Sequence, residues 1–338
     1  MSAEARALRS SRRAALPWRL LVLALGLAAA LAAPHVFTGL AAQHLLVMVA
    51  INVILVVSLD ILVGGAGLIS LGHAAFMGVG AYTSALLVKG GWAFPAGLLA
   101  AALAAAAAGL VVGVPALRLK GHYFSVVTFI VGIIATILMT NLVDLTRGPM
   151  GLPGIPFVTL RLFGWEHTFR SIVFKTGFYY LALVFALLTL LVRWRLSRSR
   201  FGRSLAAIRG DENLAESVGI PTYRVKLTAF VVAAAFAGLA GSLYAHYTAF
   251  ISPDSFTFVH SFDLFVMNLV GGAGTFLGPI VGPAFLTLLG NALRELSPAL
   301  SHVIYGALLI AVIVVLPDGI VGGAKRALRA ARQRGGGP

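Results

Sequence analysis

The sequence predicts an all-α membrane protein: a polytopic helical bundle with about ten spanning or half-spanning segments, some of them broken by glycine. Three observations carry this. Of 338 residues, 59% are hydrophobic and only 11% charged, against about 25% charged in a soluble chain, and mean hydropathy is +0.95. Nine apolar stretches approach the roughly 20 residues a helix needs to cross the hydrocarbon core. The basic residues gather in three places instead of spreading over a surface.

The first stretch, 17–33, follows a basic N-terminus over 1–16 and reads as a retained span. Its arginines, apolar run and alanines before Pro34 also fit a cleaved signal peptide. Further spans are expected at 44–63, 67–88, 93–115, 123–142, 177–194 and 227–249. The stretch 262–293 is interrupted by Gly-Gly-Ala-Gly at 271–274 and counts as two half-elements. A last segment covers 299–317. The expected organisation is one transmembrane domain over 17–322, containing a cytoplasmic region at 195–226, and a basic tail over 323–338.

Eighteen of the 26 Lys and Arg residues lie before or at the start of the first span, between 193 and 226, or after 317. The positive-inside rule assigns all three clusters to the cytoplasm, both termini included. Loop 143–176 holds four basic residues where region 193–226 holds eight, which suits an outside location. With these assignments 262–293 must enter from outside, break at its glycines and return. The formal charge of +15 is then topological, and nucleic acid is not an expected partner.

Several chemistries are excluded or disfavoured. Without cysteine there is no disulfide, thiolate metal site or redox pair. The eight histidines show no pair at metal-binding spacing, so no metal site is expected. A phosphate-cradling Walker A loop needs Gly-Lys followed by Ser or Thr, and the chain has no Gly-Lys pair. It is expected to be non-catalytic, with no catalytic residue and no cofactor of its own. Ionisable groups inside the spans are few: Asp60, His73, Arg193, His246, Asp263 and His302. Each costs about 2.5–3.5 kcal/mol to bury in lipid. Most lie near segment ends, where interfacial or capping roles are the plain reading, and no run of carboxylates suggests a proton path.

Gly-Gly-Ala-Gly occurs twice, at 64–67 and 271–274. Paired glycine breaks in two halves of an apolar chain suggest an internal repeat and a transport pathway built from broken helices. For any single glycine, close helix packing explains as much. Taken together the clusters nominate Gly64, Gly67, Ser70, Gly72, His73, Tyr82, Asn268, Gly272, Gly274 and Thr275 as pathway candidates.

Between the basic spans, residues 203–226 carry helix punctuation. Asp211 suits an N-cap, Glu212 the positive end of the helix dipole, and Gly219 before Pro221 a stop. A two-turn helix over 211–218 is expected, with Leu214 and Val218 on one face and Glu212 and Glu216 on a neighbouring row. Its caps suggest a rigid knob for a partner.

The runs SLDILVGGAGLISLGHAAFMGVGAY, LTRGPMGLPGIP and AAIRGDENLAESVGIPTYRVKLTAF resemble the permease subunits of branched-chain amino-acid ABC importers, as do YAHYTAFISPDSF, GGAGTFLGPIVGPAF and VVLPDGIVG. The resemblance spans about residues 44–322 and is nearest the larger, LivM-type subunit, because Ala-Ala-Phe follows His73. It implies an inner-membrane importer with a second permease of the same fold, two cytoplasmic ABC ATPases that use the ATP, and a periplasmic binding protein. It also implies an ATPase-coupling motif at Arg209, Asp211, Glu212, Ala215, Glu216 and Gly219. Two departures concern the solute. The family often has Tyr and Gln where Gly65 and Leu68 stand, and glutamate where Ile133 stands. If those groups read the solute, urea, amides or other small polar solutes remain open. The alternative reading is a self-sufficient secondary transporter or channel for such a solute.

Overall fold

The structure is a computed structural model; it describes residues 25–119, 121–162, 165–169 and 175–296, and between 304 and 326 positions 304, 306, 307, 310, 314, 316, 318–324 and 326. The N-terminal basic cluster, the start of the first expected span, His302, most of the last expected span and nearly all of the basic tail lie outside the described residues.

The helices are α1 (Leu25–Val36), α2 (Leu40–Asp60), α3 (His73–Lys89), α4 (Phe94–Ala116), α5 (His122–Asn141) and α6 (Val143–Thr146). They are followed by α7 (Lys175–Arg198), α8 (Arg200–Gly210), α9 (Glu212–Ser217), α10 (Thr222–Thr248), α11 (Phe258–Gly271) and α12 (Gly278–Leu296). A π-helical turn, Ile61–Ala66, prolongs α2. Among the described residues, five helices are long and apolar enough to cross a membrane: α2 with its π turn, α4, α5, α7 and α10. The larger expected count rests on shorter helices and on the segment after 296.

One part of the all-helical expectation is amended. Loop 143–176 contains a β-hairpin of β2 (Val158–Leu162) and β3 (Trp165–Phe169), paired antiparallel with Val158 opposite Phe169. A second short ladder joins β1 (Leu152–Pro153) to β4 (Phe250–Ile251). Alternating Val, Leu, Thr, Trp and Phe in these runs suit a pleated surface better than a helix.

α10 forms the centre, packed on α3 and α4, while α2 packs on α7 and α12. Apolar helices in lipid gain little by hiding apolar surface from each other, so close backbone approach decides where they meet. α3 crosses α10 at Gly80 and Gly238, where a Cβ on Gly80 would lie 2.2 Å from the Gly238 carbonyl oxygen. Two faces of the bundle can be told apart. One holds the α2 and α7 starts, where Lys175 Nζ donates to Leu40 O at 2.9 Å, and the α10 end, where His44 meets Tyr247. The other holds Asp60, the arginines that end α7, and α8; it is called the basic face below.

The glycine runs stop helices. After Ala66, Gly67 adopts φ +72°, and the chain is unwound until α3 begins. The expected span 67–88 is therefore shorter, because its first residues turn back into the bundle without helical bonding. Leu71 N–H donates to Thr128 Oγ1 at 3.1 Å, so α3 starts level with the middle of α5. α11 starts at that level too. Thr136 Oγ1 donates to Phe256 O at 3.4 Å, and Ala74 N–H donates to Ser261 Oγ at 2.9 Å. From this meeting point α3 runs to one face, ending where Lys89 Nζ reaches Pro153 O, and α11 runs to the basic face. α12 then returns antiparallel to α11, with Gly271 against Gly278 and Gly282 against Met267. The expected break and return of 262–293 matches this hairpin.

Candidate functional site: the junction of two glycine breaks

The sequence repeats Gly-Gly-Ala-Gly two hundred residues apart, and the fold brings the copies into contact. A Cβ on Gly64 would lie 2.5 Å from Gly274 N and 2.6 Å from its Cα. Nothing larger than a hydrogen fits there, and Gly274 also holds φ +78°, a region side chains rarely adopt. A carboxylate closes the junction. Asp60 is 0% exposed; its Oδ1 accepts from Gly274 N–H at 2.8 Å, and its Oδ2 accepts from Arg193 Nε at 2.6 Å and is paired with Arg193 Nη2. Two of the few intramembrane charges thus neutralise each other, joining α2, α7 and the second break. Sequence alone left Asp60 and Arg193 as separate end groups, since 133 positions divide them and no spacing rule links them.

The segment after α7 reaches the same junction. α8 begins at Ser199, whose side chain accepts from Gly202 N–H, and buries Leu205 and Ile208. The sequence reading missed this helix, although a serine cap and an i, i+3 apolar pair mark it. At its end Arg209 donates from Nη1 to Gly64 O at 2.6 Å. The same guanidinium lies against Gly274, where a Cβ would come within 2.4 Å of Nη1. One side chain therefore touches both breaks.

α9 follows, shorter than expected at Glu212–Ser217. Asp211 caps it by accepting from Asn213 and Leu214 N–H at 2.9 and 3.0 Å. Gly219 stops it at φ +85°, with Gly219 and Ile220 N–H donating to Glu216 and Ala215 carbonyls. Ala215 is the one α9 residue that is buried. Leu214 and Val218 are 64% and 69% exposed. The polar row turns back onto the bundle: Glu212 pairs with the buried Lys226 at 2.5 Å, and Glu216 Oε1 accepts from Thr222 Oγ1 at 2.7 Å.

The pathway candidates fall at two levels. Gly64, Gly67, Gly272, Gly274 and Thr275 gather at the basic face, where Thr275 Oγ1 donates to Gly272 O and accepts from Gly278 N–H, capping α12. Ser70, Gly72 and His73 lie at mid-depth, with His73 Nε2 hydrogen-bonded to Ser58 Oγ at 2.8 Å. Tyr82 is farther along α3, edge-on to Phe256, and Asn268 is on α11, seven residues below Ser261 and so on the same helix face. Among the described residues, Ser70 Oγ, Tyr82 OH and both side-chain polar atoms of Asn268 are buried without a hydrogen-bond partner in the chain, and so is His260 Nε2. Unmatched polar groups at this depth are costly. None of the pathway candidates lines the cavity of about 670 Å³ that lies between α2, α11 and α12.

A family described as branched-chain amino acid transport system / permease component matches residues 41–313. The chain is 36% identical over 291 residues to the high-affinity branched-chain amino acid transport system permease protein LivM of Salmonella typhimurium, covering 81% of this chain and 68% of that protein. The LivM protein of Escherichia coli K12 is also 36% identical, over 288 residues, with 80% and 68% coverage. The LivH permease of Escherichia coli K12 is 31% identical over 270 residues, covering 76% of this chain and 86% of LivH. No solved structure matches. A match across most of the chain, on a bundle whose two glycine breaks interlock, establishes that this protein belongs to the permease family of branched-chain amino acid transport systems.

Proposed function

We propose that the chain is a LivM-like transmembrane subunit of an ATP-binding-cassette importer in a bacterial inner membrane. It pairs with a second permease of the same fold, takes a branched-chain or other small amino acid from a periplasmic binding protein, and draws energy from two cytoplasmic ATPases. It is not an enzyme and needs no cofactor of its own; ATP belongs to the partners. Similarity to both LivM and LivH supports a two-permease assembly.

The observation that carries the coupling is Arg209, which hydrogen-bonds Gly64 O and abuts Gly274. With the basic face in the cytoplasm, α9 and its C-cap offer the exposed Leu214 and Val218 to a groove on an ATPase. Arg209, Asp211, Glu212, Ala215, Glu216 and Gly219 make the segment stiff and bind it to the bundle. Closure of the ATPases then moves α9, α8 follows, and Arg209 carries the displacement to both glycine breaks. Unwound backbone at 67–72 and 272–277 is the part of the wall that changes shape.

Reconstitution tests this. Uptake into liposomes is expected only with the second permease, ATPases, ATP and loaded binding protein together. Accumulation by this chain alone on an ion gradient would overturn the reading in favour of a self-sufficient transporter.

A further inference from the structure

The cavity between α2, α11 and α12 has a polar mouth and an apolar floor. Its volume is about 670 Å³, within the usual range for small-molecule sites. Its lining runs from His44 to Asn52 on α2 and from Leu286 to Arg294 on α12, which is about 12 Å along each helix. His44, Asp254 and Arg294, all exposed, supply the mouth, Asp263 and His260 are half-buried in the wall, and Met48, Ile51, Met77, Met267 and Leu286 make the floor.

Both ends fit one chemistry. Two carboxylates and a guanidinium in one cavity match the ammonium and carboxylate of a zwitterion. Charged side chains are otherwise scarce in this bundle, and an ionisable group at membrane depth marks a functional site by default. Asp263 is such a group, five residues inside α11; the charge nearest in effect is Arg294 of the same lining, which does not close on it as an ion pair. A second observation stands beside the cavity. His260 Nε2 is buried and has no hydrogen-bond partner in the chain, and His260 belongs to the lining. The floor suits a branched aliphatic side chain, because three methionines adapt their shape to apolar groups at little cost.

We propose that this cavity is an amino-acid station within the permease, holding an α-amino acid by its ammonium at Asp263 and Asp254, its carboxylate at Arg294 and its aliphatic side chain on the methionine floor. This rests on the amino-acid reading above. It makes the solute site a property of α2 and the α11–α12 hairpin, and separates it from the glycine junction that relays motion. Because α11 also ends at that junction, movement of Gly274 tilts Asp263 and Met267 and changes the cavity from its floor.

The absence of cysteine from the chain permits a clean test. Thr287→Cys places a single thiol in the lining, and Ala93→Cys, at the exposed start of α4, serves as control. The full chain, in the assembled transporter in nanodiscs, is labelled with N-ethylmaleimide. L-leucine is expected to slow labelling of Thr287→Cys and leave Ala93→Cys unchanged. Leucinamide, which lacks the carboxylate, and 4-methylpentanoate, which lacks the ammonium, are expected to protect poorly. Adding Asp263→Asn or Arg294→Gln should raise the half-protecting leucine concentration roughly tenfold or more, the usual effect of losing one charged hydrogen bond. Gel filtration checks that each variant remains folded. Leucine uptake by the same wild-type transporter reconstituted into liposomes with ATP and loaded binding protein separates the outcomes. Uptake without protection, or equal protection by both truncated analogues, overturns the station and leaves the importer standing; neither uptake nor protection overturns both.

Discussion

Replacing Asp60 with asparagine tests whether the glycine junction is held electrostatically. The carboxylate serves two donors at once, Gly274 N–H on Oδ1 and the Arg193 guanidinium on Oδ2. Asparagine has one acceptor oxygen. If that oxygen keeps Gly274, the amide NH₂ faces the guanidinium, donor against donor. If the amide flips, Gly274 N–H loses its acceptor and meets a donor. Either way one buried link is lost, and Arg193 keeps a charge with no counterion. Breaking a buried pair by removing one partner costs about 3–5 kcal/mol. Arg193 is 11% exposed against 0% for Asp60, so its head can move towards water, and the lower end, about 3 kcal/mol, applies. At about 2 °C per kcal/mol for a chain of this size or larger, thermal unfolding in detergent should shift down by roughly 6 °C. Asp60→Leu with Arg193→Leu removes both charges, and an apolar pair is often as stable as the ions it replaces; this double variant should recover most of the loss. It also removes the acceptor for Gly274 N–H, so it should stay defective in stimulation of the ATPases by loaded binding protein. A single variant with unchanged unfolding temperature, or a double variant less stable than the single, would refute the reasoning.

Other consequences follow from the same geometry. Gly64→Ala puts a Cβ 2.5 Å from Gly274 N; the overpacking should cost about 1–3 kcal/mol and lower the unfolding temperature, while Gly290→Ala, with open space around it, should not. Lys226→Met leaves Glu212 without its partner, so hydrogen exchange over 212–217 should rise while α10 stays protected. Gly219→Val forces a β-branched residue to φ +85°; the chain should still insert and pair with the second permease, but co-purification with the ATPases and transport should fall. Reporter fusions at Ala324 and within 155–170 should report opposite sides of the membrane; the same side for both would mean that the hairpin does not restore the tail to the cytoplasm.

The sequence by itself determined the class, the local punctuation and five of the stretches that form helices long and apolar enough to cross a membrane. Composition sets the solvent, because a chain with so few charges has no polar coat. Punctuation is local physics: Asp211 caps α9 and Gly219 stops it as their chemistry demands. The runs at 64–67 and 271–274 end helices because glycine enters the left-handed region without strain. Tertiary structure decided what these local features are for. It laid Gly64 on Gly274, paired Asp60 with Arg193, ran Arg209 across both breaks, and left Asp263 in a cavity with Arg294. Each of these joins residues far apart in the chain. Their contact depends on how helices of nearly uniform apolarity cross, and in lipid that is set by small residues and matched polar groups on several helices at once. No periodicity in one segment carries that information, so a carboxylate and an arginine that look like ordinary helix ends become one buried pair only when the bundle closes.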